Sequence, residues 1–434
     1  MDKFVFHHPT KVIFGRQGLT RLGRECARLG TRALLLYGGQ HLQAGEGYQQ
    51  ACRSLAAAGV DWLELGGIRP NPRLAQVRRG IGLAQEHNVQ VVVAVGGGSV
   101  MDSAKAVAAG ACVNHDVWLF FRGKKSIRRA LPVVCVPTTA GSGSEYNHGM
   151  VLTNELTRQK IGIGNRHLLP AVAIMDPELS CTVPWRQTLN GAVDTISHLL
   201  EFFGSGSPPG SQAYPPAAHA GAIPSSDCGP PPGSTAAISS ALQDRLAIGL
   251  IKTIMASCAR LKADPADYQG RADMLWASAL ALGGLNSAGR GRVTMPAHLL
   301  AHALGGRYDL AHGELLAVIL PAWLQFTARR DPSRITAWTR PVFTAGPARS
   351  PEPGPAELKL EAEQGLQAWR QWLRRMGAPQ NLAEIKIPTG KAALAELVEH
   401  ALPQARLWRL PYGRKELLEI LSYAQGEGNS PAGP

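Results

Sequence analysis

The chain has 434 residues, 45% apolar and 6% aromatic, with 45 Lys and Arg against 32 Asp and Glu for a net charge of +13. This length accommodates two or three domains, each with its own core. The basic excess is scattered, and its densest group (Lys124, Lys125, Arg128, Arg129) lacks the interleaved aromatics of a nucleic-acid surface, so it reads as a solvated exterior that favours anionic ligands, with no nucleic-acid partner.

The opening stretch, MDKFVFHHPTKVIFG, is polar and alternating, unlike a signal peptide. No later apolar run reaches the ~18 residues of a spanning helix, so no membrane partner is expected. Seven scattered cysteines with no CxxC pair exclude a disulfide framework and fit a reducing cytoplasm. Phe4–Phe14 reads as extended, Leu19–Leu29 as a helix and Arg32–Tyr37 as a buried strand that ends at Gly38 and Gly39. Ala51–Ala58 and Leu74–His87 read as helices, the second entered through the turn Arg69-Pro70-Asn71-Pro72. Val89–Val95 and Leu131–Val136 have no polar face, as central parallel strands require. This alternation predicts a parallel sheet covered on both faces.

A glycine-rich loop follows each of those two strands. Gly96-Gly97-Gly98-Ser99 opens a helix through Asp102 and Lys105, and its free amides suit a pyrophosphate. The second loop, PTTAGSGSE over Pro137–Glu145, adds hydroxyls. Neither matches GxGxxG, and a plain strand-to-helix turn would also use glycine; the repetition of strand, glycine loop and helix favours a nucleotide site.

From Val183 onward the pattern is helical: Trp185–Phe203, Ala236–Leu261, Arg271–Leu285, Met295–Leu304, Glu314–Phe326, Pro355–Met376 and Lys391–His400. A domain junction is expected near Asp176–Pro184. The tract Gly204–Thr235 holds eight Pro and six Gly, with Asp227 its only charged residue, and reads as disordered. Ala345–Pro355 and the tail after Gln425 are similar in kind.

The helical part carries the ligand chemistry. Asp194 and His198 are four apart in NGAVDTISHLLE, as are His298 and His302 in PAHLLAHALGGRYDLAHGE, so each pair shares a helical face. Gly305 and Gly306 are expected to stop or bend the second helix, with Asp309 capping a new one before His312 and Pro321 following its apolar run. One carboxylate and three imidazoles would make a closed set for Zn2+ or Fe2+. Spacing alone does not bring the helices together, and isolated histidines are commonly core residues.

The motifs GGGSVMDSAKAVA, PTTAGSGSE, NGAVDTISHLLE and AHLLAHALGGRYDLAHGELLAVILP, in this order, resemble the iron-containing (group III) alcohol dehydrogenases, and within them the butanol dehydrogenase-like aldehyde and alcohol reductases. The resemblance covers nearly all of residues 1–203 and 236–424. It implies an α/β N-terminal dinucleotide-binding domain with a parallel sheet over residues 1–180, an all-α metal-binding domain over 181–424 with a low-complexity insert at 204–235, and a flexible tail at 425–434. It implies Asp194, His198, His298 and His312 as metal ligands, with His302 a non-ligand beside substrate and nicotinamide and a candidate proton relay. Gly97, Gly98 and Ser99 would hold the pyrophosphate, with Thr138, Thr139, Ser142, Asp102 and Asn71 along the cofactor and Lys160 at the nicotinamide-side ribose. It also implies a homodimer. Relatives cross the region after Phe203 in a few residues, so Gly204–Thr235 is either an insertion or a frameshifted tract.

The expected reaction is hydride transfer between nicotinamide and a small aldehyde such as butanal, with the metal as Lewis acid. NADP is expected over NAD, which remains an alternative. Family members that prefer NAD place an Asp near the end of the second strand, whereas here the turn is Gly38-Gly39-Gln40-His41. Two rivals stand beside this reading. A glycerol dehydrogenase-like or dehydroquinate synthase-like enzyme would lack the fourth ligand, His198. An inactive binding or scaffold protein would be one disabled by the insert.

Overall fold

The computed structural model describes residues 3–39, 45–203, 240–291, 293–344 and 353–426. Gln40, His41, the 204–235 tract and residues 427–434 of the tail lie outside the described residues.

The strands are Lys11–Phe14 (β1), Arg32–Tyr37 (β2), Asp61–Leu65 (β3), Val91–Gly96 (β4), Val133–Pro137 (β5), Gly149–Asn154 (β6), Gln159–Gly164 (β7) and Val172–Met175 (β8). Six of them form one parallel sheet in the order β1-β8-β5-β4-β2-β3, while β6 and β7 pair as an antiparallel hairpin. The central strand β4 (VVVAVG) is buried at every position. Edge strand β3 (DWLEL) mixes charge with half-buried positions, so no apolar run announces it. Of the expected extended run Phe4–Phe14 only β1 pairs; Phe4, Val5 and Phe6 are exposed.

Helices Leu22–Ala27 (α1), Glu46–Ala57 (α2), Leu74–Glu86 (α3), Gly98–Gly110 (α4) and Trp118–Phe121 (α5) belong to this α/β part. From β2 the chain steps one way to β3, and from β4 the other way to β5 and β8. The order therefore reverses between β2 and β4, and a crevice opens at their carboxyl ends, where Gly38, Gly39 and Gly97–Ser99 lie.

The rest is helical: Trp185–Phe203 (α6), Ala241–Ala263 (α7), Tyr268–Leu282 (α8), Pro296–Tyr308 (α9), His312–Arg330 (α10), Pro332–Phe343 (α11), Pro355–Met376 (α12), Lys391–Leu407 (α13) and Arg414–Tyr423 (α14). One core runs through α6, α9 and α10 and includes the fully buried Trp323, Trp338 and Trp369. Pro321 and Pro403 do not end α10 and α13; both helices continue past them.

The expected break at Gly305 and Gly306 is corrected by the structure. Helix α9 runs through both glycines to Tyr308, and Asp309, at φ 53°, is its left-handed C-cap. Ala311 is the N-cap of α10. The glycine at 306 serves close approach: a Cβ there would lie 2.9 Å from Lys160 N and collide with Arg158 O on the β6–β7 hairpin. Helix α9 thus presses its backbone against the hairpin and brings Lys160 beside the histidines.

Candidate functional site

A cavity of about 1240 Å3 runs from the β2–β4 crevice to the histidines of α6, α9 and α10. Its floor at the crevice end is the start of α4, with Gly97 as N-cap. The unpaired first-turn amides of a helix make a place for anionic groups. A Cβ on Gly97 would lie 2.8 Å from Thr139 Oγ1, so only glycine lets the two loops approach this closely. Gly38, Gly39, Asn71, Gly97, Gly98, Ser99, Asp102, Thr139, Ser142 and Lys160 all line this cavity.

Thr138 does not join that lining. It is buried, and its backbone N–H donates to Gly96 O, tying β5 to β4. Asp102 lines the cavity, but protein groups engage both its oxygens: Ser144 Oγ donates to Oδ1 at 2.6 Å and the Val151 N–H to Oδ2 at 3.0 Å. It holds the second loop and the hairpin in place. One turn on, the buried Lys105 Nζ donates to Asn147 O, Asn147 Oδ1 and Gly149 O at 2.9, 3.2 and 2.8 Å. A helix buried at nearly every position keeps these two charges because each finds partners.

Lys160 connects the two ends of the cavity. Its Nζ donates to Asn71 Oδ1 at 2.8 Å, and Asn71 Nδ2 donates to Asp309 Oδ1 at 2.8 Å and Leu310 O at 3.2 Å. Arg73 adds an ion pair to Asp309 at 2.7 Å. The RPNP turn is therefore bonded to the α9–α10 connection that carries His312. Burial drives the Lys160 ammonium down to about 8, against the opposing pull of Asp194, Asp102 and Asp309.

At the far end, α6 presents Asp194 and His198 from one face, α9 presents His298, and His312 opens α10. Asp194 Oδ1 lies 3.6 Å from His198 Nε2, 3.4 Å from His298 Nε2 and 3.6 Å from His312 Nε2. Donors held about 2.1 Å from a shared centre in tetrahedral array have edges of about 3.4 Å, and the three edges that run from Asp194 are close to that length. Ligand atoms of Asp194, His198 and His298 all lie within 4.8 Å of one another, and His312 joins them through its edge to Asp194. The donor set itself, one carboxylate and three imidazoles, suits Zn2+ or Fe2+.

The protonation states of Asp194, His198 and His312 agree with a metal site, whereas His298 would have to give up a proton to bind an ion. Burial pushes Asp194 up, but His198, His298 and Lys160 hold it below its usual range. Burial lowers His198 to about 4 and holds His312 well below 6.5, leaving both imidazoles neutral. Burial would lower His298 too, but Glu201 and Asp194 outweigh it and raise it to about 9 in the metal-free protein.

His302 stands beside this set, its ring centroid 5.1 Å from that of His312 and 6.3 Å from that of His298. Burial, then the Lys160 charge, keep it well below 6.5. Gln404 Nε2 is 3.2 Å from His302 Nδ1, and the Trp408 ring packs edge-on at 5.6 Å. Trp408 Nε1 donates to Gly162 O at 2.9 Å, closing this end of the cavity.

Three of these residues carry no role in the sequence reading. Glu201, fully enclosed, accepts the Ala297 N–H at 2.6 Å, the His298 N–H at 3.2 Å and a bond from His298 Nδ1. The signal for it was there: an acid in an apolar run, three residues past His198. Gln404 and Trp408 had none, because α13 continues past His400 through a proline.

The profile of iron-containing alcohol dehydrogenases matches residues 9–177, and that of the C-terminal part of the Fe-containing alcohol dehydrogenase family matches residues 235–423. The chain belongs to the iron-containing alcohol dehydrogenase family. It is 33% identical over 387 residues to the probable NADH-dependent butanol dehydrogenase 1 of Bacillus subtilis, covering 89% of this chain and 90% of that one. It is 30% identical over 411 residues to the NADPH-dependent aldehyde reductase YqhD of Escherichia coli, covering 93% and 95%. The crystal structure of NADH-dependent butanol dehydrogenase A from Thermotoga maritima superimposes with a TM-score of 0.85 at 34% identity, covering 98% of this chain and 99% of that one. The family and the fold agree with the sequence reading: a parallel-sheet N-terminal part followed by a helical C-terminal part.

Proposed function

We propose that this member of the family interconverts a small aldehyde, such as butanal, and its primary alcohol, by hydride transfer with a nicotinamide dinucleotide. The observation that carries the reading is the approach of three imidazole Nε2 atoms to one Asp194 oxygen, at 3.4–3.6 Å, at the end of a cavity that begins on a glycine-floored helix start. Asp194, His198, His298 and His312 would hold one divalent ion, Fe2+ or Zn2+. Bound there, the ion supplies Lewis acidity to a carbonyl or alkoxide oxygen. The chain's own residues do the rest. Amides at Gly97, Gly98 and Ser99 receive the cofactor phosphates, Thr139 and Ser142 flank them, and Lys160 holds its ammonium toward the ribose while bonded to Asn71. His302, kept neutral beside the ligand set, offers an imidazole to the substrate oxygen. Trp408 and neighbouring apolar side chains exclude water from that end.

NADP over NAD is supported by the sequence of the turn after β2, Gly38-Gly39-Gln40-His41, which carries no carboxylate to oppose a 2′-phosphate. Relatives named for each cofactor are similar to the chain, so the choice rests on that missing repulsion. We read the functional units as 1–180 and 181–424, a reading supported by separate family matches over 9–177 and 235–423. A homodimer is supported by the exposed Phe4, Val5 and Phe6 near β1, an edge strand. A reducing cytoplasm is supported by the six free cysteines among the described residues. The described residues contain no helix long and apolar enough to cross a membrane.

The test is metal analysis of the purified protein together with butanal-dependent oxidation of NADPH and NADH. Asp194→Ala or His298→Ala should abolish both metal retention and turnover. Full activity in chelated, metal-free enzyme would overturn the proposal.

A further inference from the structure

The three imidazoles around Asp194 are not supported alike. Among the described residues, Nδ1 of His198 and Nδ1 of His312 are buried without a hydrogen-bond partner. Nδ1 of His298 meets the Glu201 carboxylate. That carboxylate is fully enclosed and has a second task, because its Oε1 accepts the Ala297 and His298 backbone N–H groups in the first turn of α9. Met295, at the N-cap position, makes no side-chain cap, so Glu201 of α6 caps α9 from outside.

We infer that Glu201 is a positioning residue that makes His298 the anchoring ligand of the metal site, leaving His198 and His312 as the weakly supported pair. This rests on the metal reading above. A carboxylate on Nδ1 fixes the tautomer that leaves the Nε2 lone pair facing Asp194, and it makes that nitrogen a stronger donor. The same carboxylate holds the turn that carries the ring, so ring orientation and helix start are set by one group. Beyond their Asp194 contacts, His198 and His312 have, among the described residues, packing to orient them: His198 stacks on His298 at 4.6 Å, and His312 lies edge-on to His298 at 5.2 Å. His298 is therefore also the ring on which the other two are aligned.

Glu201→Gln separates the two tasks. The amide oxygen can still accept from the first turn of α9, so the cap is kept. The amide nitrogen then faces Nδ1 as a donor and drives the imidazole proton to Nε2, the atom that must bind the ion. Zn2+ is the probe, being redox-inert, and chelator competition at fixed pH gives its Kd for the full chain. The expected result is a Kd weakened about 10–100-fold in Glu201→Gln. A Kd unchanged from wild type would overturn the inference. Failure of the wild-type protein to bind Zn2+ would instead overturn the metal reading itself. A wild-type measurement stands independently of whether the variant folds. In zinc-loaded, 15N-histidine-labelled protein, one ligand Nδ1–H should be strongly downfield and slow to exchange, and the other two should not. Three equivalent Nδ1–H signals, or none of that kind, would also overturn it.

Discussion

Lys160→Met tests the electrostatics of the cleft without touching a candidate metal ligand. The ammonium is buried and falls from its ordinary 10.5 to about 8, with burial as the largest cause. A lysine lowered in the folded state binds its proton less well there than in the unfolded chain. The resulting cost to stability is fully present below pH 8 and disappears as pH rises toward 10.5. The shift corresponds to about 3 kcal/mol at neutral pH. Methionine keeps most of the volume and removes the charge, but it leaves Asn71 Oδ1 without its 2.8 Å donor, which costs about 1–3 kcal/mol. Metal-free Lys160→Met should therefore lie between parity with wild type and about 2 kcal/mol more stable at pH 7. The pH dependence is the sharper quantity, because the lost hydrogen bond largely cancels from it. Wild type should gain about 2.5 kcal/mol relative to the variant between pH 7 and pH 10. Urea unfolding of both proteins across that range measures the difference. Parallel stability curves would refute the reasoning and mean that the ammonium is solvated. In the loaded enzyme the same variant should raise the KM for cofactor, so the group that costs stability is the one that serves binding.

Gly39→Asp should shift the kcat/KM ratio toward NADH by about 1–3 kcal/mol, and a clear preference of the unmodified protein for NADH would overturn the NADP reading. His302→Ala should retain metal but lower kcat. Because burial and Lys160 hold His302 well below 6.5, any acid limb it contributes to the pH–rate profile lies below the usual histidine range; an unchanged profile would leave it a packing residue. Gly191→Ala would drive a methyl into Ala140 O and to 3.4 Å from Gly141 Cα, where α6 meets the second glycine loop. It should cost about 1–3 kcal/mol and weaken both cofactor and metal binding, as read by calorimetric unfolding and ligand titration.

Periodicity and loop chemistry read well wherever a segment obeys one rule. Strand β4 is apolar throughout because both its faces are covered, and α4 follows it directly through the glycines, so both were legible. Two i,i+4 pairs, Asp194/His198 and His298/His302, were legible on apolar helices, while His312 in place of His302 came from the family resemblance; the structure brings Nε2 of His198, His298 and His312 to 3.4–3.6 Å from Asp194. What resisted reading lies where a residue answers to a partner distant in sequence. Gly305 and Gly306 look like a helix stop, but the reason for Gly306 is the hairpin backbone about 150 positions earlier. Asp309 looks like an N-cap because that is its local preference; its left-handed backbone and its bonds to Asn71 and Arg73 are decided across the cleft. Glu201 is the clearest case. A lone acid in an apolar helix violates the local pattern, and such a violation persists only if some buried donor requires the charge. Here the donors are the Ala297 and His298 backbone amides and the His298 imidazole, all in the first turn of another helix. Once candidate ligands are on the page, the next informative residues are therefore the charged exceptions on the same apolar faces. Asp102 and Lys105 on α4 obey the same logic at the other end of the cavity.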